Sequence, residues 1–335
     1  MSSQSAVLPL TDSARAAEPT RHTEVSVRAH LVYGLAKVIG KQGYRIWPVT
    51  DWGIRALTVL DTVLGAVPSP VSVARSRIEL GGVPVDRHVP SAVAADGLAG
   101  ASVLYLHGGG FTFCGPGTHR AVVASMAGVL EVPVYSVRYR QLPDGGVGSA
   151  IHDAYAAYRA LLDSCADPAK VIVAGDSSGA FLAGKICEFA AQDGLARPAA
   201  FVGYSPHVDL DVDARDHELL RHDALMPVSA YRRVKRLWAR GPIPARGARS
   251  LLDVDPAAFP ATFLVAATRE MFEADILDLG ERLAAAGRPV ETHIWDRQVH
   301  AFPVLDAILP ENREVLRDTA EFLRHALPET HRAAV

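Results

Sequence analysis

The chain has 335 residues, of which 49% are hydrophobic and 21% charged, so it can bury a sizeable core and is not a disordered polymer. Its formal net charge of −3 gives no electrostatic footprint for nucleic acid, and the short basic cluster Arg232-Arg233-Val234-Lys235-Arg236 fits the solvated face of a helix. Cys114, Cys165 and Cys187 are too few and too scattered for a disulfide framework or a cysteine-based zinc site.

Residues 1–24 read as a disordered tail, with neither a secretory leader pattern nor, anywhere later, the uninterrupted apolar run of a membrane span. A cytoplasmic location is the expectation. Residues 25–38 and 52–67 carry apolar positions at helical spacing, around a link containing Tyr44 and Trp47-Pro48. Residues 71–80 and 83–89 alternate and meet at Gly81-Gly82, as a hairpin at a sheet edge does. Strands and helices then take turns: strands at 102–106 and 132–139, a helix at 149–162, a strand at 171–174, a helix to residue 191 and a strand at 200–204. That order predicts an α/β fold with a mostly parallel sheet and helices on both faces. Between Pro206 and Pro260 the alternation stops, with one helix expected at 228–239. This stretch reads as an insertion over the end of the sheet where ligands bind. The pattern resumes with a strand at 262–267, a helix near 272–286, a strand at 290–295 and a helix near 311–326. The implied division is a tail at 1–24, helices of a cap at 25–67, a core at 68–206 and 257–330, and a cap insertion at 207–256.

The most informative segment is Gly175-Asp176-Ser177-Ser178-Gly179, set between an apolar β-branched strand and an apolar helix. Small residues two positions either side of Ser177 let a strand turn sharply into a helix and lift the serine Oγ above the sheet. Ser177 is therefore the candidate nucleophile, with a simple helix cap as the bland alternative. Directly after the strand at 102–106 comes His107-Gly108-Gly109-Gly110-Phe111, whose glycine N–H groups are free of Cβ and suit an oxyanion. Neither G-x-G-x-x-G nor G-x-x-x-x-G-K-[ST] is present there, which argues against a nucleotide loop.

A serine nucleophile needs a base. Of 13 histidines, His300 is best placed, in a loop beyond the strand at 290–295. His107, His152 and His293 have structural explanations, and His207, after the strand at 200–204, is the competitor. The orienting acid falls between residue 267 and His300. Glu270, in the strand-to-helix loop, ranks ahead of Asp275, with Glu273 inside the helix.

On these motifs the stretch from Val71 to Ala326 resembles the hormone-sensitive-lipase-like family of α/β-hydrolases, the family IV carboxylesterases. Tyr139-Arg-Gln-Leu-Pro-Asp144 is similar to the family's Y-R-L-A-P-E segment. The resemblance implies an α/β-hydrolase fold with a helical cap and no metal or cofactor. It also implies cleavage of short to medium acyl esters through an acyl-serine. Ser177, Glu270 and His300 would form the triad, and Gly108, Gly109, Gly110 and Ser178 the oxyanion hole. The chain departs from the family's G-D-S-A-G-G at Ser178 and Ala180, and from its acid motif at Ala267-Thr-Arg-Glu-Met-Phe272. Two other readings stay open: a small-molecule receptor on the same scaffold, as the gibberellin receptors are, and an acyltransferase. The expected partner is a small-molecule ester, with a homodimer as an open alternative. Trp47, Trp52, Phe111, Phe113 and Trp238 are candidate pocket walls.

Overall fold

The computed structural model describes residues 18–66, 69, 71–214 and 222–327. Residues 1–17 of the expected tail, 215–221 of the expected insertion and 328–330 of the expected core lie outside them.

Nine strands form one sheet in the order β1-β9-β8-β7-β6-β4-β5-β3-β2. The central strands β4 (Ser102–Leu106), β6 (Val171–Asp176), β7 (Ala200–Tyr204) and β8 (Ala261–Ala267) are apolar and almost wholly buried, as strands covered on both faces must be. They pair in parallel, together with β5 (Val134–Val137) and β9 (Val290–Trp295). The expected hairpin is present at one edge: β2 (Ala74–Leu80) and β3 (Val83–Val89) are antiparallel. Gly81 and Gly82, both at positive φ, supply the turn between them.

Alternation along each strand sorts the core into two layers. Leu104, Leu106, Val171 and Val173 face one cluster, while Val103, Tyr105, Ile172 and Ala174 face the other. Helices α5 (Val147–Ser164), α6 (Ser178–Gln192) and α8 (Glu273–Ala285) pack into the first cluster. Helices α4 (Arg120–Leu130) and α9 (Asn312–Ala326) pack into the second.

Ahead of the core lie α1 (Val27–Leu35), a π-helical turn, α2 (Lys41–Ile46) and α3 (Asp51–Ala66); the stretch between β7 and β8 contributes α7 (Val228–Lys235), shorter than the helix expected at 228–239. No described helix is long and apolar enough to cross a membrane.

The expectation of a disordered tail through residue 24 needs correction. Residues Thr20–His22 form β1, paired in parallel with β9 in the register Thr20↔His293, Arg21↔Ile294 and His22↔Trp295. Composition misses this strand because backbone pairing to the otherwise open edge of β9 holds it, not its own hydrophobicity.

Candidate active site

Because β4, β6, β8 and β9 run in parallel, the loops that follow them emerge at one rim of the sheet. Ser177 follows β6, the glycine loop follows β4, Glu270 follows β8 and His300 follows β9.

Ser177 sits at φ 50° and ψ −123°, a conformation that an L-residue rarely adopts and that a tight strand-to-helix turn imposes. The glycines around it are required by contact. A Cβ on Gly175 would lie 2.5 Å from the carbonyl oxygen of Leu106, and one on Gly179 only 1.9 Å from it. The end of β4 thus presses directly against the first turn of α6.

His300 Nε2 lies 2.8 Å from Ser177 Oγ, and His300 Nδ1 lies 2.7 Å from Glu270 Oε2. With Nδ1–H donating to the carboxylate, Nε2 presents its lone pair to the serine hydroxyl. Burial disfavours the imidazolium, but the hydrogen bond and charge of Glu270 outweigh that, leaving the His300 pKa above its ordinary value. The other Glu270 oxygen, Oε1, accepts from the Ala267 N–H at 3.1 Å, which fixes the carboxylate against the end of β8. Asp275, the alternative acid, sits in the first turn of α8. Glu273 accepts from the Arg269 N–H at 2.6 Å.

His207, the competing base, is engaged elsewhere. Its ring Nε2 is 2.9 Å from the Tyr231 hydroxyl and its face stacks on Phe272 at 4.6 Å. Burial and the nearby His300 push its pKa down to about 3, so it stays neutral and serves as a wall of the site.

The four expected oxyanion donors divide. Gly108 N–H donates to Asp176 Oδ1 at 3.0 Å, so Gly108 is removed from the set. Gly110 N–H donates to Ser178 Oγ at 2.9 Å. Gly109 N–H and Ser178 N–H have no acceptor among the described residues and flank Ser177.

Above Ser177 lies a cavity of about 230 Å³, walled by Phe113, Trp238, Leu225, Met226, Val234 and Phe272 among others. A second apolar cavity of about 290 Å³ adjoins it, sharing Tyr44, Thr112, Phe113, Ala230 and Val234 and reaching Trp47. Of the aromatic residues expected to line a pocket, Phe113, Trp238 and Trp47 do so. Phe111 is instead buried in the core and Trp52 is exposed.

A family model described as an alpha/beta hydrolase fold matches residues 103–304. LipF of Mycobacterium tuberculosis strain H37Rv, a carboxylesterase/phospholipase, is 33% identical over 253 residues, covering 72% of this chain and 66% of LipF. The chain therefore spans just under two thirds of that relative's length. The esterase LipU of the same organism is 31% identical over 292 residues, covering 84% of this chain and 93% of LipU. A crystal structure of an esterase from the bacterial hormone-sensitive lipase family superposes with a TM-score of 0.77 at 25% identity, covering 91% of this chain and 99% of that one. The chain belongs to the hormone-sensitive-lipase-like family of α/β-hydrolases.

Sequence reasoning missed the polar network beneath this site. Asp176, inside the serine motif, accepts from the Tyr105 hydroxyl at 2.9 Å and from Gly108 N–H, and lies 3.1 Å from His119 Nε2. Although burial opposes both charges, His119 holds the Asp176 carboxyl below its usual range, and Asp176 raises the His119 pKa. Asp223 was also missed. Its carboxylate accepts from the N–H groups of Leu225, Met226 and Met271, joining the insertion to the loop that carries Glu270. An acidic residue within a G-x-S-x-G motif was the only available signal for Asp176; for Asp223 there was none.

Proposed function

We propose that this protein is a serine hydrolase that cleaves carboxylic esters of short to medium acyl chain. The observation carrying the reading is the continuous chain of hydrogen bonds from Glu270 through His300 to Ser177, beside two backbone N–H groups without acceptors among the described residues. The relatives named carboxylesterase and esterase support it.

In this reading Ser177 Oγ attacks the ester carbonyl while His300 Nε2 takes its proton, and Glu270 stabilises the imidazolium that forms. The carbonyl oxygen, now carrying the negative charge, is received by the N–H groups of Gly109 and Ser178. As the tetrahedral intermediate collapses, His300 returns the proton to the departing alkoxide. A water then enters with the same base, cleaves the acyl-serine and releases the acid.

The cap reading extends this. In it the described residues of 25–67 and 207–256 form a cap over the described residues of a core at 68–206 and 257–330, and the positions of Tyr44, Leu225, Met226, Val234 and Trp238 in the cavity walls support it. Apolar side chains left exposed on the N-terminal helices, among them Leu31, Leu35 and Trp52, favour a homodimer. Sedimentation velocity that finds a monomer at all concentrations would refute the dimer alone.

Ser177→Ala tests the chemistry. It should lower kcat on a nitrophenyl ester by about 10⁵–10⁶-fold and abolish labelling by a fluorophosphonate. Labelling of the native chain without ester turnover would point instead to acyl transfer, and absence of labelling to a receptor.

A further inference from the structure

Away from the ester site, side chains from three elements meet at the β1 edge of the sheet. His22 comes from β1, His293 from β9 and Asp318 from α9. His22 Nε2 lies 3.0 Å from His293 Nδ1, Asp318 Oδ2 lies 3.5 Å from His293 Nδ1, and the third side, His22 Nε2 to Asp318 Oδ2, is 4.0 Å. A tetrahedral ion with bonds of about 2.0–2.1 Å separates its ligand atoms by about 3.3–3.4 Å, so this triangle has the right size.

The surroundings have the layout of an outer shell for such a site. His22 Nδ1 faces Glu314 Oε1 at 3.3 Å, and His293 Nε2 faces Glu291 Oε2 at 3.4 Å. A carboxylate beside each outer nitrogen is the usual outer shell of a metal-bound imidazole. Asp318 Oδ2 is buried and has no hydrogen-bond partner among the described residues. The two inner imidazole nitrogens, 3.0 Å apart, and a carboxylate oxygen therefore all lie within 4.8 Å of one another. The His22 ring is held in place by stacking on Trp295 at 3.8 Å and 3°.

We propose that His22, His293 and Asp318 bind one divalent transition-metal ion, with Zn²⁺ the best match to two imidazoles and a carboxylate, and that this ion clasps the N-terminal strand to the sheet. The fourth position is open to water. The ion takes no part in the ester chemistry. Its consequence is local: β1 has only three residues of register with β9, and the segment it begins leads directly into α1. Cross-linking His22 to His293 and Asp318 ties that short strand to both a neighbouring strand and a helix.

The full chain, stripped with chelator and desalted, is titrated with Zn²⁺ by calorimetry, and retained metal is measured by plasma mass spectrometry. Hydrogen exchange is followed on the peptide containing Thr20–His22. The expected result is one Zn²⁺ per chain and at least about tenfold slower exchange in that peptide on zinc addition. His22→Gln should weaken binding at least about 100-fold and lose the exchange effect, while ester turnover shows that it is folded. Asp318→Asn is the second variant should His22→Gln fail to fold. Absence of stoichiometric uptake by the native chain would overturn the site, showing that a proton shared between His22 and His293 fills the gap. Uptake unchanged in both variants would overturn it equally, placing the zinc on other histidines.

Discussion

The backbone N–H of Gly110 donates to the side-chain hydroxyl of Ser178 across 2.9 Å, tying the glycine loop after β4 to the first turn of α6. Trp238 Nε1–H holds the same glycine from the other side, donating to its carbonyl at 3.0 Å. The loop is thus fixed, but one of its amides faces a side-chain oxygen at the position where the family usually has alanine. Ser178→Ala removes that competing acceptor and leaves Gly110 N–H free to turn to the reacting carbonyl oxygen. The expected outcome is a kcat raised several-fold, up to about 10-fold, with KM nearly unchanged, since one full oxyanion donor is worth about 10²–10³-fold. Steady-state kinetics on a nitrophenyl ester checks it, and a fall in kcat would show that the hydroxyl positions the loop productively.

Glu270→Gln should lower kcat by about 10³-fold, because it removes the charge that orients and stabilises the His300 imidazolium. It also shifts the acid limb of the pH profile. His300 acts as a base only when neutral, so kcat/KM rises with pH through its pKa, which Glu270 holds above the ordinary value of 6.5. Without that carboxylate, the limb should move to lower pH. A limb that stays in place would assign the titration to another group.

His119→Gln tests the buried pair beneath the nucleophile. In the folded chain Asp176 lifts the His119 pKa above 6.5 and His119 holds the Asp176 carboxyl below its usual range, so the pair's stabilisation is complete between the ordinary carboxylate range and about pH 6.5, and is lost as pH rises through the raised value or falls through the lowered one. The variant should be less stable by about 3–5 kcal/mol between about pH 5 and pH 6.5, as expected when one partner of a buried pair is removed. The difference from the native chain should then narrow as pH rises above about 6.5. Urea unfolding at a series of pH values measures this, and a constant difference would contradict it.

Val234 of α7 lines both apolar cavities, so a larger side chain there takes up space from both. Val234→Phe should lower kcat/KM for a hexanoyl ester by about 10-fold while leaving an acetyl ester within about twofold, since one or two excluded methylenes account for that ratio. Equal loss on both esters would mean that the acyl chain lies elsewhere.

The parts of the site that stand on their own strand-to-loop junctions were readable in the sequence. Ser177, Glu270 and His300 each follow an apolar strand, and parallel strands bring such loops to one rim whatever the rest of the fold does. The parts built by packing across the sequence were not. His119 and Tyr105 reach Asp176 from 57 and 71 residues away, with no spacing that announces the contact. Gly108 looked equivalent to its two neighbours, and only the position of Asp176 takes its amide away from the reaction. His22 sat in a segment whose composition is that of a tail, and its strand exists because β9 offers an open edge.

The abutment of β4 against α6 decides what kind of charge meets the substrate. With no space for a Cβ at Gly179, the helix begins directly after Ser177, and the dipole of its fifteen residues points its positive end at that serine. That field arises from aligned peptide groups and gains or loses no proton in water. The electrostatic assistance is therefore constant in acid and alkali alike, and, buried as it is, added salt leaves it almost untouched.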